Sequence, residues 1–399
     1  MSSMSKTIVF ISHDASRTGA PLFLLSFLRW LKENTDIPFQ ILLKQGGDLE
    51  QEFQDIAPTL LYAPESIFQL GTTEKILKRL NFYSPDKKLK IYHKSLVQKL
   101  AKDNIRLIYA NTGAVGDVLK TLSALNCPTI CHVHELEYCL CNYVGIKKFE
   151  QLKKHTTNFI AVSEAVKKNL IENHNIAENM IKISYPFVRE DSQNKLDNKW
   201  KREDFLKQNG IPENAKIVCA SGTLDWRKSP DLFVLLAHRI NKEYSNYPVH
   251  FIWVGGNTKS DYFSQLWYDV QKLKLDKFIH FLGVQLNPLD YFAASDVFVL
   301  TSREDPYPLV CLEAALVGKP IVCFDGAGGE KEFVEDDCGF VIPYLDIEMM
   351  ATKIISLLDS PELCQQFGQR AQQKVKERHN INAAGQEILT IIKKIMLSE

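Results

Sequence analysis

Short runs rich in β-branched and aromatic residues recur along this chain, each followed by a helical pattern and then another run. Runs that are apolar on both faces belong to buried parallel strands. Parallel strands need crossover connections, and here the crossovers carry helical periodicity, so the pattern demands an α/β fold with parallel sheets. In the first half the expected strands are Lys6–Ser12, Phe39–Leu43, Arg106–Ala110, Thr129–His134, Asn158–Val162 and Ile181–Ser184. In the second half they are Ile217–Ser221, His250–Val254, Ile279–Leu282, Val297–Leu300 and Ile321–Phe324, with a strand-like Phe340–Pro343. Helices are expected from Pro21 to about Leu31, from Pro361 to Glu377 and from Ile381 to Leu397, among others.

At 399 residues the chain exceeds one comfortable hydrophobic core, so two domains are expected. A polar, aperiodic stretch after Pro186 marks the division. The expected organisation is a Rossmann-like domain over 1–188, a linker over 189–201, a second Rossmann-like domain over 202–375 and a C-terminal helix over 376–399 packing back on the first domain.

Lysines and arginines balance aspartates and glutamates at 48 each, which argues against a nucleic-acid partner. The balance hides an asymmetry: Met1–Glu190 holds 24 basic and 19 acidic residues, and the remainder is acidic by the same margin. Ten basic residues lie between Lys75 and Arg106, interleaved with Phe82, Tyr83 and Tyr92. A solvated helical face explains them, or an anionic membrane surface that presents a lipid-linked acceptor. The first apolar run, Ile8–Ile11, reads as a strand and not as a signal peptide. Nine cysteines, an odd number and mostly in apolar contexts, point to reduced thiols, hence a cytoplasmic protein or one peripheral at the inner face of a membrane.

The chemistry concentrates between Ser302 and Glu332. A polar loop follows the run Val297–Leu300, a helix begins near Pro308 or Leu309, Gly318 ends it before Pro320, and Gly328-Gly329 follows the next strand. Loops at the carboxyl ends of parallel strands are where open α/β sheets bind ligands. The helix start offers free N–H groups to a phosphate, and Asp305 and Glu313 can accept sugar hydroxyls. Phosphate and sugar held together describe a nucleotide sugar.

This stretch resembles the donor site of the family 4 retaining glycosyltransferases, in the glycosyl transferases group 1, which have the GT-B fold. Asp305 and Glu313 are separated by seven residues, Ala314 to Pro320 continue the pattern, and Gly328-Gly329-Glu330-Lys331-Glu332 supplies its last element. Gly19-Ala20-Pro21 resembles the first-domain loop that faces the donor, His134 falls where that family has an active-site histidine, and Gly222–Ser229 resembles its diphosphate loop. The resemblance implies two doubly wound domains facing a central cleft and transfer from a nucleoside diphosphate sugar, with no cofactor and no metal. It implies that Lys228 and Arg227 meet the diphosphate, that Asp305 or Glu304 meets the sugar, that Glu313 meets the ribose, and that His134 acts near the anomeric centre. Gly19, Ala20, Gly222, Leu309, Val310, Gly328 and Gly329 would line the donor site.

The chain departs from the family in having Asp305 where Glu is usual, Pro306 and Pro308 without N–H donors, and Thr223 where an arginine is common. These departures sustain an alternative, a catalytically silent GT-B module that binds a sugar nucleotide or a partner protein. A dinucleotide oxidoreductase needs three spaced glycines after its first strand, and the loop Ser12–Pro21 has one. Cys131, His132, His134, Cys139 and Cys141 are ligand types, but their spacing matches no paired zinc framework.

Overall fold

The computed structural model describes residues 7–67, 85–188 and 201–397. Most of the expected linker, the basic segment from Lys75 to Ser84 and Lys6 lie outside the described residues. The chain divides into two compact units. The first comprises residues 1–162, 166–184 and 385–399, and the second comprises 163–165 and 185–384.

In the first unit the strands are β1 Thr7–Ser12, β2 Phe39–Leu43, β3 Thr59–Leu61, β4 Ile105–Ala110, β5 Thr129–Val133, β6 Asn158–Ala161 and β7 Ile181–Ile183. They form one parallel sheet in the order β3-β2-β1-β4-β5-β6-β7. All six residues of β1 are buried, as a strand covered on both faces must be. Phe10 meets Phe27 of the helix Gly19–Asn34 and Tyr109 of β4, with ring centroids 6.0 and 5.1 Å away. β3 was not expected: Thr59–Leu61 is three half-buried residues, too short to show a period. The end of the chain packs in this unit too. Gly385 lies so close to Trp30 that a Cβ there would stand 2.6 Å from the indole.

The second unit holds β8 Lys216–Ser221, β9 Val249–Val254, β10 Ile279–Phe281, β11 Val297–Leu300, β12 Ile321–Phe324 and β13 Gly339–Ile342. Its sheet is parallel in the order β10-β9-β8-β11-β12-β13. Trp253, Phe233 and Phe251 anchor its core with edge-to-face contacts at 5.3 and 5.5 Å.

Both sheets are doubly wound, and in each the strand order reverses once. The reversal falls between β1 and β4 in the first unit and between β8 and β11 in the second. Loops leaving the carboxyl ends of those strands splay apart and open a crevice, the default ligand site of such a sheet.

Candidate functional site

In the second unit the loops after β8 and β11 flank the reversal. The first carries Gly222, Arg227 and Lys228, and the second carries Glu304 and Asp305. Lys228 Nζ donates to Asp305 Oδ2 in a close ion pair, and Arg227 Nη1 stands 4.0 Å from Oδ1. Asp305 is 4% exposed, and Ser302 Oγ is 3.4 Å from the same Oδ2. Two cations and a hydroxyl thus surround this buried carboxyl group. Glu304 is half-buried and receives Arg227 Nη1 on its carbonyl oxygen at 3.1 Å.

The third loop, after β12, closes on the second. Asp305 N donates to Ala327 O at 2.8 Å, and Gly329 N to Asp305 O at 3.3 Å, in an isolated parallel bridge between Asp305 and Gly328. A Cβ on Gly328 would collide with the Asp305 carbonyl, and one on Gly329 would stand 2.5 Å from Pro306 O. Both glycines are therefore required by backbone approach. Gly222 also permits crowding, since its carbonyl accepts Trp253 Nε1 at 3.1 Å and a Cβ would press on the Lys228 stem.

The helix Leu309–Leu316 starts directly after Pro308. Leu309 and Val310 stand in its first turn, where amides have no acceptor within the helix. Pro306 and Pro308 remove two donors from the preceding loop, so those two amides are the backbone N–H groups left at the helix start. Gly318 adopts φ +74°, and the bonds Gly318 N to Ala315 O (2.9 Å) and Lys319 N to Ala314 O (3.1 Å) close a Schellman end. Glu313 is half-buried on this helix.

Beneath the same loops lies Glu330, 1% exposed. Apart from its own amide, neither carboxylate oxygen has a hydrogen-bond partner. Burial, and then the negative charge of Asp305, push its pKa well above the usual carboxylate range. Burial is what the sequence did not reveal about Glu330, because no local spacing encodes it. Arg303 was also missed. It forms a forked pair with Asp231, at 2.9 and 2.7 Å, and its signal, a basic residue between two site loops, is local and weak.

In the first unit the expected residues also gather at a strand reversal. Gly19 and Ala20 begin the helix after β1, Asn111 leaves β4, and His134 leaves β5. Asn111 Nδ2 donates to Ala20 O at 2.7 Å, and Asn111 Oδ1 lies 3.2 Å from His134 Nε2. Burial, followed by repulsion from His13, lowers the pKa of His134 to about 3, so the ring is neutral at neutral pH. The strand's alternation puts His132 on the same face, with ring centroids 4.4 Å apart and Phe23 edge-on to both. Glu135 is buried and ties the loop together. It accepts Thr112 Oγ1 at 2.5 Å, Gly113 N at 3.1 Å and His134 N at 2.9 Å. Cys131 faces away toward Thr112 O, and Cys141 Sγ donates to Glu137 Oε1. Among the described residues no three metal-ligand side chains converge, and no helix is long and apolar enough to cross a membrane.

Residues 201–374 match the family described as glycosyl transferases group 1. The amylovoran biosynthesis glycosyltransferase AmsD of Erwinia amylovora is 25% identical over 227 residues, covering 57% of this chain and 57% of that protein. The poly(ribitol-phosphate) alpha-N-acetylglucosaminyltransferase of Staphylococcus aureus is 25% identical over 219 residues, covering 53% of this chain and 43% of its own length. The match thus spans about half the length of these relatives. The fold is similar to that of Anabaena Alr3699/HepE in complex with UDP-glucose, with a TM-score of 0.78 at 21% identity over 97% of this chain and 99% of that one. It is also similar to WaaG, a glycosyltransferase involved in lipopolysaccharide biosynthesis, with a TM-score of 0.69 at 13% identity over 96% and 99%. Residues 201–374 thus match the glycosyl transferases group 1, and the two Rossmann-like units have the GT-B fold of the similar structures.

Proposed function

We propose that this chain is a retaining glycosyltransferase that moves a sugar from a nucleoside diphosphate sugar to a hydroxyl acceptor. The observation that carries the proposal is the Lys228–Asp305 pair at the strand reversal of the second unit, with Arg227 beside it. In transfer, the bond from the anomeric carbon to the β-phosphate oxygen breaks, and a bond to the acceptor oxygen forms. The acceptor proton leaves on the departing phosphate. Negative charge grows on that phosphate, and Lys228, Arg227 and the first-turn amides of Leu309 and Val310 are aimed to stabilise it. Asp305 accepts sugar hydroxyls once Lys228 turns to the phosphate, and Glu313 accepts the ribose hydroxyls. The neutral His134 can hydrogen-bond near the anomeric centre without adding a charge.

The second unit takes the donor and the first unit takes the acceptor. Structures of the similar Anabaena protein contain UDP, UDP with glucose, and UDP-glucose, which favours a uridine donor here. Charge neutralisation by side chains and amides makes turnover independent of divalent metal. On the first unit, the helix Pro85–Ala101 exposes Lys87, Lys90, Ile91 and Lys94 along one stripe. Such a stripe fits an anionic bilayer carrying a lipid-linked acceptor.

Release of nucleoside diphosphate from UDP- and GDP-sugars, with and without EDTA, tests this. Turnover that persists in EDTA and fails in Asp305→Asn is expected; EDTA-sensitive turnover would refute metal independence. One observation favours a second reading, a module that binds without turnover: the two prolines deprive the Asp305 loop of amides. Saturable binding of a sugar nucleotide with no release under any acceptor tried would favour that reading.

A further inference from the structure

We infer that Arg303 is a positioning residue that holds the Lys228 loop at its working distance from Asp305. The inference rests on the proposed role of Lys228 at the diphosphate. Residues 226–231 curl around the Arg303 guanidinium. Nη1 donates to Trp226 O at 3.2 Å, to Ser229 Oγ at 3.1 Å and to Asp231 Oδ1 at 2.9 Å, and Nη2 donates to Asp231 Oδ2 at 2.7 Å. The guanidinium also lies 5.3 Å from the Trp226 ring centroid. Arg303 N donates to Arg227 O at 2.8 Å, and Arg303 O accepts Tyr344 OH at 3.1 Å. Trp226, Ser229 and Asp231 are thus fastened to one side chain, and Arg227 to the backbone amide of the same residue, two positions before Asp305.

The loop needs such a fastening because its backbone is strained. Ser229, immediately after Lys228, sits at φ +57°, ψ +54°, where an L side chain is disfavoured. Serine is nevertheless useful there: its Oγ donates to Trp226 O at 3.0 Å and accepts from Arg303. Thr301 Oγ1 donates to Ser229 O at 3.1 Å and holds the turn from below. A planar fork with several fixed donors spans these acceptors at once, which an ammonium cannot. Lys228 can therefore pass from Asp305 to an incoming phosphate by rotating its side chain while its backbone stays fixed.

The test is a calorimetric affinity series with UDP, GDP and UMP on the full chain. Lys228→Ala should lose diphosphate affinity, and Arg303→Ala should lose between about tenfold and a hundredfold for displacement of a contact group. UMP, lacking the β-phosphate, should be affected less. The double variant Arg303→Ala/Lys228→Ala should bind no more weakly than Lys228→Ala alone, because both changes remove one interaction. Arg303→Lys should recover only part of the loss. Asp231→Asn, which keeps the shape and removes the fork's partner, should repeat the pattern if Arg303→Ala fails to fold. Losses that add in the double variant, or that are equal for UDP and UMP, would overturn the positioning role. If the native chain binds neither diphosphate, the assignment of Lys228 itself falls. If the native chain binds and Arg303→Ala binds equally well, only the inference about Arg303 falls.

Discussion

Two lysines of the second unit, one buried and one half-buried, face carboxylates, and they are built for opposite ends. Lys374, on the helix Pro361–Arg378, is 0% exposed and fully satisfied. Its ammonium donates to Phe333 O at 2.9 Å, to Glu335 Oε2 at 3.0 Å and to Asp337 Oδ1. Arg370 and Arg378 complete the network from the same helix, at 2.7 Å to Asp337 and 2.7 Å to Glu335. Lys228 has one hydrogen-bond acceptor among the described residues, the Asp305 carboxylate, so two of its three donors remain for a ligand. Beside it lies a buried acid, Glu330, with no partner at all except its own amide. A saturated network fixes a helix to a sheet. An unsaturated one is the less stable arrangement, retained where chemistry needs open valence.

The largest expected difference between the two is in turnover. Lys228→Ala should slow transfer by roughly 2–4 kcal/mol of barrier, the cost of one donor lost from a developing anion. Lys374→Met should leave turnover per folded molecule unchanged. Equal kinetic losses in the two variants would dissolve the contrast. Next in size is stability. Lys374→Met strands the Phe333 carbonyl and should lower unfolding free energy by about 1–3 kcal/mol, read by urea denaturation. An unchanged midpoint would mean that Arg370 and Arg378 suffice.

Glu330 allows a sharper test through pH. Its folded pKa is raised, so its contribution to stability is full below the ordinary carboxylate pKa and is lost as pH rises through the folded value. Gln does not titrate. The Tm of Glu330→Gln relative to the native chain should therefore rise with pH from the ordinary carboxylate range upward. A difference that is flat with pH would show that the pKa of Glu330 is not raised. Asp337 behaves in the opposite sense. Burial works against its charge, but hydrogen bonds from Lys374 and Arg370 prevail and hold it well below the usual range. Its stabilisation is present above the ordinary Asp value and survives until strongly acid pH.

A further pH effect should come from the imidazoles. Burial lowers His379 and His280 to about 4 and His134 to about 3. Their neutral forms stabilise the fold fully above about 6.5, the ordinary histidine pKa, and progressively less as pH falls toward the folded values. In the Glu330→Gln background, where the raised carboxyl no longer opposes it, a loss of stability is expected as pH falls below about 6.5. A pH-independent Tm from 7 to 5 in that background would contradict these shifts.

Much of this architecture was legible because parallel strands announce themselves. Val297–Leu300 and Ile321–Phe324 are bounded in the structure as their apolar runs suggest, and the Gly318 helix end follows from glycine's access to positive φ. Thr59–Leu61 was not legible, since three half-buried residues at a sheet edge carry no period. At the site, Asp305, Lys228 and the paired glycines stand close together because each belongs to a motif with fixed spacing. The contacts of Arg303 with Asp231 and the burial of Glu330 depend on how three loops fold over one another, and no local spacing encodes that.

The most direct test of the central claim is ligand-dependent unfolding of three proteins: the native chain, Lys228→Ala and Lys374→Met, each with and without saturating UDP or GDP. Ligand at a hundred times its Kd stabilises the folded state by about 2.7 kcal/mol, a shift visible in Tm. The native chain and Lys374→Met should both show that shift, the latter from a lower starting Tm, and Lys228→Ala should show a much smaller one. A full ligand-induced shift in Lys228→Ala would contradict the assignment of Lys228 to the diphosphate. Its loss in Lys374→Met would contradict the division between the two lysines.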